Sequence, residues 1–302
     1  MSKLATRWRT AEGLRLTDAV VAALRGGRGL EQVDGLETLA DGRTDLRGFD
    51  FGRHTAILRG VRLRRVDLTA ARLESLRFEG SSFEDCVFDR AKLNDLRVWD
   101  TRFAGCSMRS ANLRDAGLGA WRDGRGNHYE RVSFVGANLA RMSTSAATYV
   151  DCDFSGARLD RVNFWQSSLI RCRFAGPLSE VIFNGRMLGE GKPDPNPMLE
   201  VDLTDAVLDG CDFRGVDFGS VRLPDDPDIV LVTSLAQLDA AVAALGAAGD
   251  PDTAFARELL DDMRNEVVGG HGALLNLRDV PSAAGQVRRA LAAAGRRRSD
   301  RP

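Results

Sequence analysis

Large apolar residues recur at every fifth position along most of this chain. The first run is Leu58, Leu63, Leu68, Leu73, Phe78, Phe83, Phe88, Leu93, Val98, Phe103, Met108, Leu113 and Leu118. Two positions before each stands a smaller side chain, beginning Ala56, Val61, Val66, Ala71, Leu76, Ser81 and Cys86. A second run is centred on Phe134, Leu139, Thr144, Tyr149, Phe154, Leu159, Phe164, Leu169 and Phe174. After a slip of register come Phe183, Leu203, Leu208, Phe213, Phe218 and Leu223. Neither the helical period of 3.6 nor the strand period of 2 produces this spacing. A square coil does, with one five-residue unit per side and about 20 residues per turn, its turns stacked at about the 4.8 Å spacing of parallel strands. The central residue then points inward, and the residue two before it sits in the tighter space beside a corner. Each buried Leu or Phe contributes roughly 1.5–3 kcal/mol, enough for stacked turns to support a narrow core.

Strings such as ARLES, AKLND, ANLRD, ANLAR and ARLDR resemble the A-[D/N]-L-x-x unit of pentapeptide-repeat proteins, over about residues 45–223. The resemblance implies a mainly β fold, a right-handed quadrilateral β-helix. Residues 1–45 do not fit the repeat and are expected to form an N-terminal cap. Thr17 or Asp18 would start a short helix there that ends at Arg25, with Val20, Val21 and Leu24 covering the first open coil. Residues 224–302 have helical spacing. Ser234 with Gln237 and Asp250 with Pro251 mark two helix starts, and a third helix begins after Ser282 and reaches Arg296, Arg297 and Arg298. These helices read as a cap or docking module.

Two irregular segments interrupt the repeat of residues 46–223, near 119–131 and 184–200. The second is taken to preserve register, with Phe183 to Leu203 as one full turn. Loops on a rigid scaffold are frequent binding sites. Candidate partner contacts are therefore Trp121, Arg122, Arg125, His128 and Tyr129 from the first segment. Asp202, Asp205, Asp209, Asp212 and Asp217 are candidates from the acidic final coils.

Composition narrows the function further. The formal net charge of -1 gives no whole-chain attraction to nucleic acid or anionic membrane. No apolar run reaches the roughly 18 residues of a membrane span, and no signal peptide is evident, so a cytoplasmic location is expected. Arginine greatly outnumbers lysine, as in chains from GC-rich bacterial genomes. Cys86, Cys106, Cys152, Cys172 and Cys211 each lie two before a centre, as small interior residues, with no CxxC pair. Arg59 with Glu79, Arg64 with Glu84, Arg65 with Asp85 and Asp89 with Arg109 should pair between turns. His54, His128 and His271 are isolated, and no nucleophile elbow, phosphate loop or metal-ligand spacing occurs. No catalytic residue, cofactor or metal is expected, and a filled coil has no substrate cavity.

Three functions compete. The first is a non-enzymatic scaffold that docks a protein partner through coil faces and loops, and the flanking apolar helices leave a homodimer open. The resemblance implies a second, because some pentapeptide-repeat proteins mimic duplex DNA, bind DNA gyrase and protect it from quinolones or other poisons. The basic early coils depart from the negative rod that mimicry requires, which confines that idea to the acidic end. Direct nucleic-acid binding by the early arginines and the arginine tail is the third.

Overall fold

A computed structural model describes residues 3–52, 56–186, 198–246 and 249–299. His54, Lys192 and Asp194 lie outside the described residues, as do the side chains of Arg296, Arg297 and Arg298.

The five-residue period folds into a β-helix with four walls. Face I carries Leu58, Phe78, Val98, Leu118, Thr144, Phe164, Phe183 and Phe213 inward, its turns joined by parallel strand pairs and bridges. Face II is a six-stranded parallel sheet from Arg62–Arg64 to Ser168–Ile170. Face III starts at Leu46 and face IV at Phe51, and single parallel bridges join most of their turns. Corners are set by the residue two after each centre, which takes left-handed backbone, as in Ala70 (φ 58°), Arg90 (57°) and Asp115 (59°). Glycine occupies that position at Gly60, Gly80 and Gly105, where it carries no steric cost. Many other corners hold strained non-glycine residues, kept there by hydrogen bonds such as Ala71 N to Leu68 O (2.9 Å) and Leu73 N to Lys92 O (2.9 Å).

Inside, side chains from the same face stack turn upon turn. Phe83, Phe103, Tyr129 and Tyr149 form one column with centroids 4.7, 5.3 and 4.7 Å apart. Phe134, Phe154 and Phe174 form another at 4.9 and 4.8 Å. Rings on adjacent faces meet edge to face, as Phe154 meets Phe164 at 83°. All five cysteines are free thiols, and four are buried at the predicted corner positions, where burial pushes the Cys152 thiol well up. Cys211, in the last complete turn, is only partly buried.

Register departs from expectation at one place. Phe183 pairs with Phe213, whereas Arg173 pairs with Asp202 and so puts Leu203 on face III. Phe183 to Leu203 is thus a partial turn plus an excursion, of which residues 187–197 lie outside the described residues. Two of the four predicted ion pairs form, Arg59–Glu79 at 2.9 Å and Arg64–Glu84 at 3.7 Å. Arg65 instead donates to the Asp41 carbonyl, and Asp89 accepts from the Arg109 backbone N–H (3.0 Å).

Both ends of the coil are covered. A short helix α1 (Lys3–Thr6) leads into α2 (Ala11–Arg25), which is longer than predicted because Thr10, not Thr17 or Asp18, accepts from the Gly13 N–H. Thr17 sits mid-helix and donates to the Gly13 carbonyl. Val20 and Leu24 are buried in the coil's own core, and Trp8 packs edge-on to Phe49 while donating to the Arg47 carbonyl at 2.8 Å. Asp45 is buried beneath this cap. Burial alone would raise its pKa, but hydrogen bonds from Arg47 and Arg7 outweigh that and hold it down to about 2.

At the other end, α3 (Leu235–Leu245), α4 (Pro251–Val268) and α5 (Ala284–Ser299) pack around a separate core with Leu238, Leu260 and Val287. Ser234 and Asp250 cap the first two of these helices. The sequence reading missed an antiparallel strand pair, Ile229–Val232 with Ala273–Asn276. It belongs to a lid that satisfies the open backbone edge of the last coil. Glu266 accepts from the Gly215 N–H at 2.7 Å, and Asn276 donates to the Leu208 carbonyl at 2.8 Å.

Candidate functional site

With the interior filled, contact chemistry rests on the outward positions flanking each centre. On face I the early turns present Arg59, Arg77, Glu79, Arg97 and Trp99; on face II they present Arg62, Arg64, Glu84 and Arg102. Two troughs of about 580 Å³ run along these walls. The face I trough is lined by Arg77, Glu79, Arg97, Trp99, Asp115 and Arg141 and floored by Gly117 and Gly119. The face II trough lies among Glu31, Arg62, Arg64, Glu84, Arg102 and Arg131.

The first excursion borders the face I trough. It is a small antiparallel hairpin, Trp121–Arg122 with Arg125–Gly126, turning at Asp123 (φ 53°) and Gly124 (φ 75°). An Asp-Gly pair suits such a turn because both residues need positive φ. The chain can leave the wall only over a glycine, since a Cβ at Gly119 would lie 2.2 Å from the Thr144 backbone. Buried Asn127 pins the hairpin's base. Its amide donates to the Val98 carbonyl (2.8 Å) and the Leu118 carbonyl (2.9 Å), and its oxygen accepts from the Thr101 N–H (3.1 Å). The hairpin is therefore held to a rigid wall. Trp121 lies across Gly126 and remains 36% exposed. Arg125 pairs with Asp100 at 3.0 Å and covers the Trp99 ring at 5.4 Å.

The predicted contacts are only partly brought together. Trp121 and Arg125 share the hairpin, whereas the Arg122 side chain lies outside what the structure describes. His128 belongs to the regular wall, half-buried, and burial followed by the Arg102 charge lowers its pKa. Tyr129 requires a correction as a partner contact. It is a fully buried centre of face II whose hydroxyl donates to the Leu118 carbonyl at 2.8 Å. Burial raises its pKa far above the ordinary phenol value.

The aspartates likewise form no single acidic surface. Asp202 is buried and shared between Arg173 (3.3 Å) and Arg222 (2.9 Å). Burial would raise its pKa, yet hydrogen bonds from Thr204 and the two arginines lower it. Asp205 pairs with Arg173, Asp212 with Arg214, and Asp209 faces Ser179, while Asp217 accepts from the Gly219 N–H. Asp212 lies on face I and Asp209 on face IV, so the five divide among different walls. Sequence reasoning missed Asn127 and the trough arginines Arg77 and Arg97 as parts of the site. Asn127 was detectable in principle, because it stands two before Tyr129, in the small-residue position of the repeat.

Among the described residues no group of three His, Cys, Asp or Glu side chains is placed to hold a metal ion, and no helix is long and apolar enough to cross a membrane.

The pentapeptide-repeat family model matches this chain in eight copies, over residues 56–85, 145–176 and 198–223. No curated protein matches it. Among solved structures it is similar to HetL, a pentapeptide-repeat protein involved in heterocyst differentiation regulation in the cyanobacterium Nostoc sp. strain PCC 7120. That alignment has 18% identity and a TM-score of 0.35, and covers 62% of this chain and 94% of HetL. It is also similar to a trypsin-treated form of QnrB1, a plasmid-mediated fluoroquinolone resistance protein, with 17% identity and a TM-score of 0.31 over 57% of this chain and 90% of QnrB1.

Proposed function

Starting from a chain whose walls are built of pentapeptide repeats, we propose that it is a non-enzymatic scaffold that docks a protein partner on its outer faces. The observation that carries this reading is the pinned hairpin Trp121–Gly126 standing beside a charged trough on a rigid wall. An exposed tryptophan next to arginines is the combination enriched where protein interfaces concentrate their binding energy. A preorganised wall also loses little conformational freedom on binding. Among the described residues the four-sided interior is filled by stacked, buried side chains.

Affinity capture with the wild-type chain and a Trp121→Ala/Arg125→Ala variant tests the proposal. A protein held by the wild type and lost by a folded variant supports it. Equal capture by both removes the hairpin from the interface.

Protection of DNA gyrase is a second reading, favoured by the projecting hairpin, since loops matter in part of the gyrase-protecting pentapeptide-repeat group. Duplex mimicry at the acidic end is disfavoured, because Asp202, Asp205 and Asp212 are already paired with arginines. A supercoiling assay, with and without a gyrase poison, tests this reading. Inhibition or rescue would support it, and no effect of folded protein over a micromolar range would remove it.

A further inference from the structure

Within the face I trough, two positive charges stand without a carboxylate. Arg77 lies directly opposite Arg97 in the parallel register. Both are exposed, and neither has an ion pair among the described residues. The neighbouring acids are already engaged, Glu79 by Arg59, Asp115 by Arg141 and Asp100 by Arg125. Like charges directly opposite each other in a sheet are destabilising, so this arrangement costs the free protein something.

The geometry around Arg97 is nonetheless fixed. Its Nη1 donates to the Asp115 carbonyl at 2.5 Å and to the Leu96 carbonyl at 3.1 Å, leaving the rest of the guanidinium fork for another acceptor. Its stem lies over Gly117, where a Cβ would come within 2.7 Å of the Arg97 Cδ. The missing side chain at 117 is thus what lets Arg97 lie flat along the trough. Trp99, with Arg125 across its ring, walls the side nearest the hairpin.

Resting on the scaffold reading above, we infer that this trough receives an acidic peptide segment of the partner, one carboxylate bridging Arg77 and Arg97 and an adjoining apolar side chain meeting Trp99. Charge complementarity identifies the occupant. Bidentate carboxylate recognition is the interaction an arginine fork makes best. A continuous phosphate backbone fits less well, because Glu79 and Asp115 stand among the arginines and would repel it.

The test is fluorescence anisotropy with a labelled peptide of alternating Glu and Phe, its Gln-for-Glu counterpart, and a labelled DNA duplex, titrated with the full chain. The acidic peptide should bind, weaken with added salt, and lose at least about tenfold in affinity in Arg77→Gln/Arg97→Gln, as expected for charge-assisted contacts. The Gln peptide should not bind. Arg158→Gln, on face IV, should leave binding unchanged. Because the two arginines repel, the double variant should melt no lower than wild type. Equal peptide binding by wild type and double variant would overturn the inference, as would a lowered melting temperature or tighter binding of duplex than of peptide. Capture of a partner by the double variant as strong as by wild type would overturn this trough while leaving the hairpin-based scaffold reading intact.

Discussion

The early and late turns of the coil share an interior but differ in surface. On faces I and II the first three turns project Arg59, Arg62, Arg64, Arg77, Arg97 and Arg102 against Glu79 and Glu84. The same columns in the later turns carry Ser143, Ser145, Thr148, Val150, Asn163, Trp165, Ser168, Ile170, Ile182, Asn184 and Leu199, and charge returns in the last turn, where Asp212 and Arg214 pair with each other on face I. Inside, Phe83 on Phe103 and Phe154 on Phe174 stack at almost the same separation, 4.7 and 4.8 Å. The fold therefore depends on inward positions and leaves outward ones free to vary. Concentrated charge on one half is not required for folding, which is why the early walls are the better place to look for contact chemistry.

The largest expected effect tests the shared interior. Phe83→Ala and Phe154→Ala should each cost about 3–5 kcal/mol, since both leave a cavity in a close-packed ladder. Urea unfolding should show similar losses in the two halves; a much smaller loss in one would mean that its core is not packed alike.

The two ends should differ in kind. Asn276→Leu at the late end orphans the Leu208 carbonyl and the Arg278 N–H, and should cost about 2–3 kcal/mol by thermal melting. At the early end the clasp is acid-sensitive. Folding depresses the Asp45 pKa from 3.8 to about 2, so its contribution is full above pH 4 and is lost as the pH falls through 2. The shift corresponds to about 2 kcal/mol. In Asp45→Asn that part of the acid dependence should vanish, and an unchanged stability profile between pH 4 and 2 would refute the assignment.

The smallest effects concern the surface itself. Arg77→Gln early and Ile170→Gln late should each change stability by no more than about 0.5 kcal/mol, because neither side chain belongs to the core. A larger loss at either position would show that the outward columns are structural.

Much of the fold was legible because a period of five leaves few alternatives and each inward column is uniform. The errors came from excursions. Tyr129 lies five before Phe134 and already belongs to the second run, but the glycine-rich stretch before it made it look like a loop residue. Phe183 and Leu203 are separated by the length of one turn only because an excursion adds to a partial one. The strand Ile229–Val232 could not be recognised without its distant partner Ala273–Asn276. The site was less legible than the fold. Arg77 and Arg97 carry no special local motif, and their meaning appears only when the register sets them opposite each other above Gly117. The acidic residues looked like one cluster in sequence, yet a coil distributes neighbouring residues around different walls.

The central claim is that the early walls, not the late ones, hold a protein partner. It is tested most directly by parallel affinity capture with wild type, an early-face variant (Arg59→Gln/Arg77→Gln/Arg97→Gln) and a late-face variant (Ile170→Glu/Leu199→Glu), all first shown to be folded. A protein retained by wild type should be lost from the early-face variant and kept by the late-face one. Loss confined to the late-face variant, or equal retention by all three, would contradict it.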